Sequence, residues 1–164
     1  MEKGSKELIV AVQSKAKTPD AAVVRELMTN ISDIADYLQI PFQVAVGIVW
    51  QESKFDPTSY RYNTSDKRDR SYGLFHLTLP TAQWMAAGYG YDITVKDLYD
   101  PIMSAWLGLS YLLWLWIKYD NLYDAISAYN AGRPLKTSVG GYINDGYIRN
   151  VLAGAQNMSL LGVA

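Results

Sequence analysis

Apolar residues return at helical spacing early in the chain: Val24, Leu27, Met28, Ile31, Ile34, Ala35 and Leu38. That period predicts one amphipathic helix with a single face against a core. Thr18-Pro19-Asp20 supplies its start, with a capping hydroxyl, a proline of preset φ and an acid near the positive end of the helix dipole. Pro41 disfavours a helical Ile40, so the helix ends just before it. The same proline opens a second helix, Phe42 to about Ser53, in which Val44, Ala45, Val46, Gly47, Ile48, Val49 and Trp50 leave almost no polar face. Such a helix is buried nearly all round.

Residues 54–72 are polar and tyrosine-rich, with Asp56-Pro57, and read as a long loop of the kind that carries function. Pro80-Thr81 begins a short helix through Ala87, closed by Gly88. Asp100-Pro101 caps a long helix through Ile117 or Lys118. Its apolar run, Ile102 to Ile117, is shorter than the roughly 20 residues of a membrane span. Trp106, Tyr111, Trp114 and Trp116 are spread along it instead of lying at two interfaces, which favours a central core helix over a membrane segment. Asn121 starts a further helix that stops at Gly132, and a last one runs from about Asn144 to Asn157. No segment alternates convincingly at period two. The pattern predicts an all-α fold: an arm over residues 1–17 and one helical domain over 18–164.

Composition narrows the classes. The 164 residues are 49% hydrophobic and 19% charged, enough to pack a core. A net charge of −1 argues against a nucleic-acid binder, which needs a basic stripe to displace counterions. With no cysteine and one histidine, structural zinc is close to excluded. Thirteen Tyr and five Trp against three Phe suit a surface that meets a partly polar ligand such as a sugar, although many such rings serve as ordinary core. The charged start, Met1 to Glu7, precedes an apolar run of only Leu8 to Val12, too short for a secretory signal.

Glu52 is the position with chemistry in it. It ends an otherwise apolar helix, where partial desolvation and the negative end of the dipole both favour its protonated form. A raised pKa is what a general acid needs to protonate a departing sugar oxygen. The alternative is a solvated glutamate at a frayed end, paired with Lys54. Burial logic alone leaves both open.

Four blocks stand in order along the chain: Glu52-Ser53, Ser71-Tyr72-Gly73-Leu74-Phe75-His76, Ala128-Tyr129-Asn130-Ala131-Gly132, and Gly146-Tyr147-Ile148-Arg149-Asn150-Val151. Pro80-Thr81-Ala82 and Asp97-Leu98-Tyr99-Asp100-Pro101 fall between them. Together they resemble the signature of the soluble lytic transglycosylases, relatives of goose-type lysozyme, over residues 20 to 155. The resemblance implies a lysozyme-like helical domain with a substrate groove. It implies Glu52 as sole catalytic acid/base, with Ser71, Tyr72 and the Gly73 backbone beside the scissile bond. Gly73 would let the backbone approach the sugar closely, Tyr129 would orient Glu52 through its hydroxyl, Asn130 would support the groove, and Tyr147 would line it. The glycine block commonly ends in Gln and here ends in His76, which either takes over that contact and adds pH sensitivity or is a satisfied structural histidine.

What the resemblance implies for function is cleavage of the bond between N-acetylmuramic acid and N-acetylglucosamine in peptidoglycan, closing a 1,6-anhydro ring. It calls for no cofactor and no metal, and for a monomer that binds glycan strands and neither nucleic acid nor membrane. A goose-type muramidase is the rival, in which an aspartate such as Asp66 or Asp69 holds a water. A non-catalytic wall-binding domain is the second alternative. The expected setting is the bacterial cell wall, reached without a signal peptide as a phage lysin, a virion-associated enzyme or an exported domain lacking its leader.

Overall fold

Short polar side chains start the helices. Asp100 Oδ1 accepts from Met103 N–H at 2.8 Å, Asn121 Oδ1 from Asp124 N–H at 3.1 Å and Thr78 Oγ1 from Thr81 N–H at 3.4 Å. Each satisfies one of the orphan donors of a first turn, worth about 1 kcal/mol. These caps are seen in a computed structural model of the chain, which describes residues 21–62 and 70–154. The expected arm over 1–17, the Thr18-Pro19-Asp20 start, the end of the last helix at Asn157, and Asp66 and Asp69 lie outside the described residues.

The helices are α1 (Ala21–Tyr37), α2 (Phe42–Glu52), α3 (Leu79–Ala87), α4 (Val95–Leu98), α5 (Pro101–Tyr119), α6 (Leu122–Ala131) and α7 (Asp145–Leu152). α6 stops at Gly132, whose φ of 77° is the left-handed stop expected for it. α5 runs on to Tyr119, past the expected Lys118, and ends on Asp120 at φ 50°. An aspartate tolerates that conformation better than most side chains.

Mostly helical as expected, the fold adds a small antiparallel sheet in the order β1 (Tyr60–Tyr62), β2 (Arg70–Tyr72), β3 (Leu77–Thr78). The stretch 54–72, read as loop, therefore carries two strands. Strands of two or three residues are too short for period-two alternation to register, and their pairing is made by tertiary contact. The register sets Arg61 opposite Ser71 and Ser71 opposite Thr78, one rank across all three strands.

α5 is the central helix and packs against α1, α3, α4 and α6. Among the described residues no helix is long and apolar enough to cross a membrane. Two hydrophobic clusters form. The larger joins α1, α2, α5, α6 and α7 through Ile31, Ile48, Leu109, Leu112, Ile126 and Ile148. The smaller gathers Leu77, Ala82, Ala86, Ile93, Leu98 and Leu107 beneath α3 and α4. Trp106, Tyr111 and Tyr129 pack against both and form the seam between them.

α2 is buried along Val44 to Val49, as its sequence requires, and α7 lies directly on it. The contact is backbone to backbone: a Cβ on Gly47 would overlap the Val151 carbonyl, and one on Gly154 would meet Gly47 Cα at 2.5 Å. Gly47→Ala is therefore expected to cost about 1–3 kcal/mol through overpacking. A urea midpoint lowered at unchanged slope checks it; an unaltered midpoint would show that the helices separate freely.

Candidate active site

Glu52 is the last residue of α2 and is 8% exposed. The solvated alternative is thereby set aside; Lys54 instead lies with its ammonium 4.6 Å from the centre of the Trp50 ring. Across the α2–α7 contact the Tyr147 hydroxyl donates to Glu52 Oε1 at 2.6 Å. From β1, Arg61 donates to the Glu52 main-chain carbonyl at 3.0 Å and holds its other terminal nitrogen 3.6 Å from Oε2. A guanidinium at a helix C-terminus meets both an orphan carbonyl and the negative dipole end. Burial pushes the Glu52 pKa above the usual carboxylate value, partly opposed by the Tyr147 hydroxyl and by the charges of Arg61 and Lys54.

The chain reaches β1 through an abrupt turn, with Lys54 at φ 55° and Phe55 at φ 61°. Two consecutive left-handed non-glycine residues are uncommon. Full burial of the Phe55 ring beside Trp50 holds them there.

A cleft of about 380 Å³ opens in front of Glu52. The rank Arg61, Ser71, Thr78 forms one wall, with His76 beside it. Tyr111, Tyr129, Asn130 and Thr81 also line it, so the cleft lies along the seam between the two hydrophobic clusters. Glu52 is the one acidic side chain lining it among the described residues. No group of three His, Cys, Asp or Glu side chains suited to a metal gathers among those residues.

Of the residues expected at the site, Glu52, Ser71, His76, Tyr129 and Asn130 meet at the cleft, and Tyr72, Gly73 and Tyr147 do not line it. Tyr72 neighbours Ser71 on a strand, so the pleat turns it to the other face, edge-on to Tyr99 at 6.0 Å. Gly73, at φ 74°, is required for a different reason than sugar approach: a Cβ there would overlap the Leu98 carbonyl. The two tyrosines exchange their expected parts. Tyr129 donates to the Phe75 carbonyl at 2.9 Å and secures the glycine turn, while Tyr147 carries the hydrogen bond to Glu52.

His76 sits at φ 47° in that turn, its Nε2 hydrogen-bonded to Ser59 Oγ at 2.8 Å. Its Nδ1 is buried with no hydrogen-bond partner among the described residues, 3.7 Å from Glu52 Oε2. Burial, together with the Arg61 charge, lowers its pKa to about 4, so near neutral pH the ring is uncharged and the contact with Glu52 is not an ion pair. Of the two roles open to His76, a ring neutral at pH 7 fits the structural one better than added pH sensitivity near neutrality. Asn130 is tied in by Asn144, whose amide donates to Asn130 Oδ1 at 3.1 Å and to the Ser127 carbonyl at 3.0 Å.

A family model described as the transglycosylase SLT domain matches residues 29–146. The chain belongs to this family. Among solved structures it is similar to the 70 kDa soluble lytic transglycosylase SLT70 from Escherichia coli, at 19% identity and a TM-score of 0.57, over 93% of this chain and 23% of that one. A complex of the 70-kDa soluble lytic transglycosylase with bulgecin A is similar at 18% identity and a TM-score of 0.63, over 96% of this chain and 28% of that one. The chain thus spans about a quarter of the length of these proteins, and at such identity the likeness speaks for the fold. No curated protein matches it.

Arg61, Thr78, Thr81 and Tyr111 also line the cleft of this SLT domain, and nothing in the sequence assigns any of them a place at the site. Arg61 and Thr78 enter through strand register, and Tyr111 lies inside an apolar run; neither signal is visible along the chain.

Removing the hydroxyl in Tyr147→Phe takes away a bond that favours the carboxylate, so the Glu52 pKa is expected to rise further. Titration of the Glu52 side-chain carbon by NMR reads the shift, and a fall would contradict the geometry. For His76 the folded pKa lies below the unfolded value of 6.5. The folded state therefore keeps its full advantage above pH 6.5 and loses it as pH falls toward 4. Against the wild type, His76→Gln is expected to remove a loss on the order of 3 kcal/mol by pH 4; parallel stability curves for the two proteins would refute it.

Proposed function

We propose that this SLT domain cleaves peptidoglycan as a lytic transglycosylase, with Glu52 as its single acid and base. The observation that carries the reading is one buried carboxyl, biased toward protonation, in a cleft whose other polar groups are hydroxyls, an amide, a neutral imidazole and a guanidinium.

The acid form of Glu52 protonates the oxygen linking N-acetylmuramic acid to N-acetylglucosamine. The bond from that oxygen to the muramic C1 breaks and its electron pair stays on the oxygen. The substrate's own acetamido group stabilises the cationic C1. Glu52, now a carboxylate, is supported by the Tyr147 hydroxyl at 2.6 Å and the nearby Arg61 charge. It then takes the proton of the muramic 6-hydroxyl, whose oxygen bonds to C1 and closes the 1,6-anhydro ring. Glu52 returns to its acid form and no water is consumed. One group serves both proton transfers because its surroundings stabilise both states: burial favours the acid, and the Tyr147 hydroxyl and the Arg61 charge favour the carboxylate. Attack from within the same sugar also has an entropic advantage over an incoming water.

On this reading the remaining cleft residues bind. Ser71 and Asn130 offer hydrogen bonds to sugar hydroxyls and acetamido groups, and Tyr129 holds the turn that carries His76. The substrate is the glycan strand of the bacterial cell wall.

Mass spectrometry of digested cell wall tests the mechanism. Anhydromuramic ends are expected from the wild type, and Glu52→Gln is expected to lower the rate by about 10²–10⁴-fold or more. Reducing muramic ends would overturn the transglycosylase reading in favour of hydrolysis, and undiminished lysis by Glu52→Gln would overturn the assignment of the acid.

A further inference from the structure

Outside the cleft, the surface feature that the chemistry above leaves unused is a pair of indoles. Trp84 on α3 is 50% exposed and Trp114 on α5 is 36% exposed. Their ring centres are 4.8 Å apart at 82°, edge to face. Each stands one helical turn beyond a cleft residue: Trp84 follows Thr81 by three positions, and Trp114 follows Tyr111 by three. Residues so spaced share a helix face and are offset by about 4.5 Å along the axis. The rings form one connected chain. Tyr129 meets Tyr111 at 5.5 Å, and Tyr111 stacks on Trp114 at 6.1 Å and 12°. One turn further, the Lys118 ammonium lies 4.6 Å from the Trp114 ring centre.

The geometry points to a distal saccharide subsite on Trp84, buttressed by Trp114, which takes sugars of the same aminosugar strand after it leaves the cleft. Two lines of chemistry select that occupant. Ring contacts lead from Tyr111, which lines the cleft, to Trp114 and on to Trp84, so a polymer leaving the cleft along this wall meets the indoles next. Its composition also fits: an indole face suits the C–H face of a pyranose, and Lys118 supplies a cation for the carboxylates carried by muramic acid and its peptides. Tyr111 and the Lys118 ammonium crowd Trp114, so the more open ring, Trp84, makes the contact. The inference rests on the glycan-strand substrate proposed above, and it concerns binding beyond the scissile bond, not the reaction.

Binding to the Glu52→Gln protein, measured by calorimetry with purified wall tetrasaccharide and with long glycan strands, tests it. Adding Trp84→Ala is expected to weaken long-strand binding about five- to tenfold and leave the tetrasaccharide affinity where it was. Trp84→Phe, which keeps an aromatic face, is expected to recover most of the loss and controls for folding. Equal losses on both ligands would make Trp84 a support of the cleft and overturn the subsite, as would no loss on long strands. Absence of strand binding by the parent protein, or Trp84-dependent binding to anionic lipid vesicles with strand binding intact, would also overturn it. Cleavage by the Glu52→Gln protein, seen as new ends in the mass spectrum, would instead sink the catalytic assignment and leave the binding comparison standing.

Discussion

A carboxyl group taken out of water at the end of an apolar helix is tolerated only where hydrogen bonds replace the lost hydration. Here the replacement is the Tyr147 hydroxyl, which reaches Glu52 from a helix 95 residues away in the chain. The rest of the site depends on that contact. It exists because α7 lies on α2 at backbone distance, through Gly47, Val151 and Gly154. The start of α7 is held in turn by Asn144, which accepts from the Ser127 hydroxyl at 2.7 Å and donates to Asn130. A packing constraint between two helices thus becomes an electrostatic property of one side chain.

The opposite wall obeys a different constraint. The small sheet and the glycine turn are anchored to α5 and α6: Phe75 N–H donates to Ser104 Oγ at 3.1 Å, and Tyr129 donates to the Phe75 carbonyl. Gly73 allows the turn to lie against the Leu98 carbonyl. With the turn held, His76 is fixed beside Glu52 in its neutral state, and the rank Arg61, Ser71, Thr78 faces the cleft. Arg61, half exposed, holds a terminal nitrogen 3.6 Å from Glu52 Oε2, and its charge opposes the effect of burial on that carboxyl.

Much of the helical frame was legible along the chain. Asp100, Asn121 and Gly132 mark real helix ends, because capping and left-handed stops are settled by residues within a turn of one another. Glu52 stood out because a lone carboxylate just past the apolar run Val44 to Trp50 is a local anomaly. What escaped was long-range. The sheet was read as loop, and Tyr72 was expected at the cleft although its neighbour Ser71 faces it. Tyr129 and Tyr147 were both identified, yet their roles were exchanged. Both rings lie near the acid, and only the placement of α6 and α7 decides which hydroxyl reaches it.

The amino-acid pattern by itself determined the longer helices and several of their ends, though not the one-turn α4, together with the buried character of α2 and the acid that terminates it. Each of these follows from periodicity, capping or desolvation within a short stretch. Tertiary structure alone decided which donors meet that acid, the strand register that brings Arg61 to it, and the charge state of His76. Those quantities depend on distances of a few ångströms between separate elements of the fold, and no local preference encodes them.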